Sequence, residues 1–188
     1  MVPWIQTHSG RAVDPINTHP GSLAIEDIAH ALSLVNRYTG HTSKPYSVGR
    51  HSMTVARLVK MRGGSQNAQL LALLHDATEA YLSDIASPVK QHAIFDGYRA
   101  AEAKLADVIW QRFGTGAVGE RALQLVKQAD ADMLLAERKN VLPAGAWKLT
   151  EVVPRDACEA FVWGCQFKAH EVVRAVFLMM FDALGGNR

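Results

Sequence analysis

The chain lacks several features that would place it in a specialised class of protein. It carries only two cysteines, Cys158 and Cys165, and no Cys-x-x-Cys pattern. Sparse cysteine favours a reducing compartment over a disulfide framework. No apolar run approaches the roughly 18 residues that a membrane-spanning helix needs. Residues 1–18 also lack an apolar core of signal-peptide length. We therefore predict a cytoplasmic protein without a membrane partner.

A strong charge of one sign is also missing. The formal net charge is only +2 over 188 residues, so no basic field predicts binding to a nucleic-acid polymer. The composition is ordinary for a globular protein, and the length fits one domain with a substantial core. We therefore expect residues 1–188 to form a single domain.

The spacing of apolar residues predicts an all-α fold. Apolar side chains recur at helical spacing in six segments, which are 22–36, 47–61, 65–82, 98–113, 120–141 and 166–184. A turn and a short helix are expected within 84–91. Residues 1–24 are predicted to be irregular, and 143–154, which include Trp147, to form a loop. The last helix is apolar on several faces, which indicates a core helix or a self-association surface.

The stretch 70–84 runs from five apolar and small residues into a cluster of ionisable side chains. Burial of the apolar part carries His75 and Asp76 towards the interior. A buried carboxylate beside an imidazole is costly unless it is compensated, and a divalent metal ion binds both groups. On a continuous helix Glu79 shares a face with both residues. Asp84 lies just past the expected helix end.

Two other helices each bring a polar group to an apolar face. His51 shares a stripe with Val55, so it points inward. A lone inward histidine is more commonly a satisfied core residue than a ligand, unless a second set of ligands faces it. At about 100° per residue, Asp130 lies on the apolar face of its helix and Asp132 about 160° away, in water. We therefore predict that Asp130, rather than Asp132, is a metal ligand.

Together these positions predict a mixed nitrogen and oxygen ligand set of His51, His75, Asp76 and Asp130. Such a set suits Mn²⁺, Fe²⁺, Co²⁺, Ni²⁺ or Zn²⁺ better than Ca²⁺. Four ligands leave open positions on a metal that accepts six, as a catalytic site requires. Glu137 is expected either behind these ligands or in a pair with a nearby Lys or Arg.

A phosphate-bearing substrate also needs cations near it. The sequence offers four candidates, which are Arg37, Lys44, Arg50 and Lys90. Lys44 and Arg50 are more simply interpreted as solvated surface charges. Arg37 has an equally plain interpretation as a solvated helix end.

The ordered pattern of these ligands resembles the HD-domain metal-dependent phosphohydrolase superfamily. The segment 75–80, followed by Asp84 and by the sequence Pro-Val-Lys at 88–90, resembles the signature of HD-type 5′-nucleotidases. That resemblance implies catalytic roles for Glu79 and Asp84. The pair Arg37-Tyr38 resembles an Arg-aromatic pair that contacts phosphate and deoxyribose, although the family usually has Trp at the second position. We add Lys90 as a substrate-binding candidate.

Three further segments, 4–7, 27–33 and 46–48, resemble phage HD proteins, including dATP triphosphohydrolases. The resemblance covers most of residues 4–140. It implies an HD-type helical bundle, a divalent metal ion (Co, Mn, Zn or Mg) and a small-molecule deoxynucleotide substrate. It also implies a homo-oligomer, either a dimer or a hexamer, and the broad apolar last helix favours the same conclusion.

These expectations lead to one main function and three competing ones. The main one is a dATP or dNTP triphosphohydrolase, in which a metal-activated water attacks the phosphoryl group with Glu79 and Asp84 assisting. A 5′-deoxynucleotidase acting on dNMPs would share the same metal core. The chain could also be a nucleotide second-messenger hydrolase or a non-catalytic, metal-stabilised helical module.

Overall fold

The computed structural model describes residues 3–114, 116–145 and 150–188, and these are mostly helical. The all-α class predicted from the sequence is therefore confirmed. Trp147, in the predicted loop 143–154, lies outside the described residues. No helix within the described ranges is both long and apolar enough to cross a membrane.

The chain begins with a small hairpin and continues in helices. Strands β1 (Ile5–Gln6) and β2 (Ala12–Val13) pair antiparallel, with Ile5 opposite Val13. Short 3₁₀ turns cover Pro20–Ser22, Tyr38–Gly40 and Ala93–Phe95. The α-helices of the described ranges are α1 (Ile25–Leu34), α2 (Val48–Met61), α3 (Gln66–Leu74), α4 (Glu79–Leu82), α5 (Ser87–Lys90), α6 (Asp96–Arg112), α7 (Glu120–Val141), α8 (Arg155–Gly164) and α9 (His170–Ala183).

Helix α2 lies at the centre of the fold, because α1, α3, α7, α8 and α9 all pack against it. It begins where the side chain of Ser47 accepts a hydrogen bond from the backbone N–H of Arg50, a favourable N-cap. Gly49 allows α1 to approach closely, since a Cβ there would lie 3.1 Å from the carbonyl oxygen of Leu32. A helix surrounded in this way buries residues on several faces, and His51 is among its fully buried side chains.

Most predicted helices are found, with shifted ends in some cases. The predictions for α2 and α7 hold to within one residue, and α6 begins two residues earlier than expected. Helix α1 begins at Ile25 because Ser22 belongs to the preceding 3₁₀ turn. Helix α9 begins at His170 rather than Gln166, and its Phe177 and Phe181 are fully buried. This agrees with the interpretation of that helix as a core helix.

Helix α8 is not among the helices that apolar spacing predicts. Its buried face consists of Ala157, Ala160, Phe161 and Gly164. Three of these four residues are small, so the face gives little of the large apolar periodicity that marks a helix. Their small size is what allows α8 to lie against α2 and α7.

The prediction of a single helix over 65–82 is wrong. The chain forms two helices there, α3 and α4, separated by a turn. The intervening turn is tightened by three-residue hydrogen bonds, including one from the N–H of Glu79 to the carbonyl of Asp76 (3.0 Å). His75 Nδ1 donates to the carbonyl of Ala72 (2.7 Å). A continuing α-helix would offer that carbonyl to the N–H of Asp76, so a side chain competes with the helix here.

The contact between α8 and α2 provides a test of packing. A Cβ at Gly164 would lie 2.2 Å from Thr54 Cγ2. Thr54 is fully buried and its hydroxyl donates to the carbonyl of His51 (2.7 Å), so rotation would break that bond. We expect Gly164→Ala to lower the free energy of unfolding by about 1–3 kcal/mol, through overpacking. Urea denaturation followed by circular dichroism measures this change.

The matched control is Gly97→Ala in α6, where an added Cβ has no neighbour within 4 Å. There the better helix propensity of alanine should raise the free energy of unfolding by about 0.4–1 kcal/mol. Equal effects of the two substitutions would contradict the packing described for α8.

Candidate metal centre

Two imidazoles meet between the first turn of α2 and the end of α3. His51 Nε2 lies 3.3 Å from His75 Nε2. On the far side of each ring, His51 Nδ1 donates to Glu137 Oε1 (2.6 Å) and His75 Nδ1 donates to the carbonyl of Ala72 (2.7 Å). These acceptors hold the proton of each neutral ring on Nδ1. The lone pairs of both Nε2 atoms therefore face the same point.

Two carboxylates reach that point as well. Asp76 Oδ2 lies 3.5 Å from His51 Nε2 and 3.2 Å from His75 Nε2, and Asp130 Oδ1 lies 3.1 Å and 3.9 Å from the same atoms. Ligand atoms of His51, His75 and Asp130 all lie within 4.8 Å of one another, so these three residues could hold a metal ion. Asp76 approaches from the turn between α3 and α4. When both rings are neutral, four acceptor atoms converge here and need a cation among them. Without a metal ion, protons on the histidine Nε2 atoms supply that positive charge.

The pKa values show that the cluster stabilises positive charge. Burial lowers the pKa of His75, but Asp76 and Asp130 outweigh that effect and raise it to about 9. The pKa of His51 is also raised, because Glu137 and Asp130 outweigh its burial and the charge of Arg37. Burial raises the pKa of Asp130, but hydrogen bonds to the two histidines lower it well below its usual range.

Glu137 on α7 lies directly behind His51 and is fully buried. Besides the bond from His51, its Oε2 accepts hydrogen bonds from Arg37 Nε (3.2 Å) and from the Tyr38 hydroxyl (3.0 Å). Burial raises the pKa of Glu137, but Arg37 and His51 lower it to about 2, so the group is ionised at neutral pH. Both roles expected for this residue therefore apply, since it supports a histidine and pairs with an arginine.

The two acids with predicted catalytic roles are close enough to Asp76 for its charge to raise their pKa values. Glu79, the first residue of α4, is only 5% exposed, and its Oε2 makes no hydrogen bond to any described residue. Burial raises its pKa to about 9, with help from the charges of Asp76 and Asp84. Burial and Asp76 also raise the pKa of Asp84, against the effect of Arg37. The broken helix thus still brings Glu79 next to the ligand cluster.

The three predicted substrate-binding residues are all bonded to protein groups. Arg37 Nη1 pairs with Asp76 Oδ2 (3.3 Å), in addition to its bond with Glu137. Lys90 Nζ pairs with Glu102 Oε1 (2.8 Å). Both cations lower the pKa of Glu79. Tyr38 is turned towards Glu137 through its hydroxyl.

The prediction that Arg50 is a solvated surface charge is wrong, while Lys44 is exposed as expected. Arg50 is partly buried, donates from Nη1 to the carbonyl of Phe167 (3.2 Å) and lies over the Tyr46 ring, 4.5 Å from its centroid. Neither residue is bonded to the ligand cluster in the described structure.

The prediction that Asp130 lies on the buried face of α7 and Asp132 faces water is also wrong, because the structure reverses the two positions. Its side chain is 11% exposed and pairs with Arg62 Nη1 (2.8 Å), whereas that of Asp130 is 44% exposed. Arg62, just beyond α2, compensates the charge of the buried carboxylate. Helical periodicity within α7 cannot predict a partner that lies on another element. Asp130 is nevertheless the aspartate of α7 that reaches the two histidines.

The fold and the site define an all-α protein with a histidine and aspartate cluster that could hold a metal ion. No family model matches the chain. The chain is 35% identical to the uncharacterized protein YfdR of Escherichia coli (strain K12) over 153 residues. The matched region covers 80% of this chain and 80% of YfdR. The chain therefore belongs to the same family as YfdR.

A second relative is the uncharacterized protein RCAP_rcc00048 of Rhodobacter capsulatus. The two chains are 40% identical over 119 residues, which is 61% of this chain and 60% of the relative.

The two aspartates of α7 give a matched pair of variants. Because Asp130 contacts both histidine nitrogens, we expect Asp130→Ala to weaken the binding of Mn²⁺ or Co²⁺ at least ~100-fold, measured by isothermal titration calorimetry. Asp132→Ala should leave metal affinity unchanged. It should lower the free energy of unfolding by about 1–2 kcal/mol, between the values for exposed and buried ion pairs. The reverse pattern would refute the assignment of Asp130.

Proposed function

We propose that this protein is a metal-dependent phosphohydrolase acting on deoxynucleotides. The observation that carries the proposal is the convergence of four ligand groups beside Glu79, a buried acid with an unbonded oxygen. A structural metal site is usually closed by its ligands and has no use for a further acid of raised pKa, whereas a hydrolytic site needs one. The resemblance to HD-domain enzymes supports the phosphate chemistry and the nucleotide class.

In this proposal His51, His75, Asp76 and Asp130 hold a divalent metal ion. Their mixed nitrogen and oxygen donors suit Mn²⁺, Co²⁺ or Zn²⁺, and the family resemblance adds Mg²⁺. When bound, the ion supplies Lewis acidity, which lowers the pKa of water and offsets charge on a phosphoryl oxygen.

Glu79 and Asp84 handle the protons of the reaction. Because burial and the charge of Asp76 raise the pKa of both groups, the pair retains a proton more readily than two isolated carboxyls would. One acid can then accept a proton from the attacking water while the other donates one to the leaving oxygen. Burial of Glu79 keeps it from exchanging that proton freely with solvent.

The phosphate chain of the substrate separates the two leading activities. The resemblance to phage proteins favours a dATP triphosphohydrolase. The charges favour the second candidate, a 5′-deoxynucleotidase, because Arg37 and Lys90 already pair with carboxylates. A triphosphate brings more negative charge than a monophosphate and needs more uncommitted cations to offset it.

A substrate panel tests the proposal. Purified protein would be incubated with dNTPs, dNMPs and ribonucleotides in the presence of Mn²⁺, Co²⁺, Zn²⁺ or Mg²⁺. Tripolyphosphate and a deoxynucleoside identify a triphosphohydrolase, whereas inorganic phosphate from a dNMP identifies a 5′-deoxynucleotidase. Cleavage of a cyclic nucleotide or of guanosine tetraphosphate would indicate a second-messenger hydrolase instead. A metal-loaded protein that cleaves none of these would be a binding module.

The role of Glu79 gives a direct mutational test. We expect Glu79→Gln to reduce kcat by about 10²–10⁴-fold, the usual contribution of a positioned acid or base, with metal content and fold retained. The matched control is Glu120→Gln, an exposed position at the start of α7, which should keep the wild-type rate. Metal content is measured by inductively coupled plasma mass spectrometry. Turnover of Glu79→Gln at the wild-type rate would refute the mechanism.

A further inference from the structure

The resemblance implies that Arg37 and Tyr38 contact the substrate, but their bonds in this chain point inward. We propose that Glu137 is a positioning residue of the metal centre, and that Arg37 and Tyr38 act through it rather than on the nucleotide. The inference rests on the metal centre of the proposed function but not on the identity of the substrate.

Glu137 uses both of its oxygens to hold groups around the centre. Oε1 accepts from His51 Nδ1, and Oε2 accepts from Arg37 and Tyr38. A carboxylate behind a ligand histidine fixes the orientation of the ring and keeps its outer nitrogen free for the metal. Since Glu137 is fully buried, water cannot take over either role.

Arg37 links this outer carboxylate to a ligand. Its Nε bonds to Glu137 (3.2 Å) and its Nη1 bonds to Asp76 (3.3 Å), so one planar guanidinium sets the spacing of two carboxylates. His51 and Asp76 approach each other on the opposite side (3.5 Å), which closes a ring of four side chains. The Arg37 side chain is 13% exposed, so most of it contacts protein.

The backbone after Arg37 is shaped to deliver these side chains. Tyr38 and Thr39 both have positive φ values, 58° and 51°, in the left-handed region that non-glycine residues rarely occupy. The segment is held at its base by a hydrogen bond from Arg37 N to the carbonyl of Tyr46 (2.9 Å). Further along, Ser43 N donates to the carbonyl of Val141 at the end of α7 (2.8 Å). The segment is thus fastened to the helix that carries Glu137.

The test measures the affinity for Mn²⁺ by isothermal titration calorimetry in the absence of nucleotide. Glu137→Gln should weaken binding about 10–100-fold, as expected for an outer partner of a ligand histidine. Tyr38→Phe removes one hydroxyl and should weaken it about 2–10-fold. Arg37→Lys keeps the positive charge but loses the planar guanidinium that bonds to two carboxylates, so it should also weaken Mn²⁺ binding about 2–10-fold. The matched controls Glu120→Gln and Arg155→Lys lie at exposed positions and should show the wild-type affinity.

A double variant tests whether Tyr38 acts through Glu137. If it does, Tyr38→Phe should cause no additional loss of affinity in the Glu137→Gln background. Circular dichroism checks that each variant is folded, and Tyr38→Phe, the mildest change, decides the question if Glu137→Gln unfolds. Unchanged Mn²⁺ affinity in Tyr38→Phe and Arg37→Lys, with a raised KM for nucleotide, would overturn the inference. Weakened Mn²⁺ binding in a protein that cleaves no nucleotide would uphold it and refute only the proposed function.

Discussion

The buried hydrogen bond between His51 and Glu137 (2.6 Å) is the interaction on which the rest of the site depends. Both side chains are fully buried, and the bond joins the central helix α2 to α7. A buried carboxylate is tolerated only when its charge is compensated. Here the compensation comes from His51, Arg37 and Tyr38, and the same contacts turn His51 Nε2 towards His75 and Asp130. One interaction therefore stabilises the core and shapes the site.

The helix is interrupted between α3 and α4, at the position of the candidate metal ligands. Leu70 to Leu74 form a fully apolar end to α3, and the chain then tightens through His75 and Asp76. The hydrogen bond from His75 to Ala72 substitutes for a helical one, so little hydrogen bonding is lost. In return, a histidine and an aspartate adjacent in sequence both reach the same point. Glu79 follows at the start of the next helix.

The charge balance of the cluster explains why a metal ion fits it. Asp76, Glu79, Asp84, Asp130 and Glu137 lie around two histidines, and Arg37 and Lys90 are the cations that act on Glu79. The acids raise the pKa values of both histidines, and Asp76 raises those of Glu79 and Asp84. An added divalent cation would relieve this repulsion, which is a physical reason why the cluster could hold a metal ion.

Sequence patterns were enough to predict the helical class and the bounds of α2 and α7. They also pointed to His51, His75, Asp76 and Asp130, which the structure brings together. Those features depend on apolar periodicity and on N-caps such as Ser47, which act over a few residues. Tertiary contacts, by contrast, account for the burial of Asp132, the break after Leu74 and the three hydrogen bonds of Glu137. The partners involved are distant in the chain, 86 residues apart for His51 and Glu137 and 100 for Arg37 and Glu137. Local periodicity carries no information about such pairs, because their contact exists only once the helices have packed.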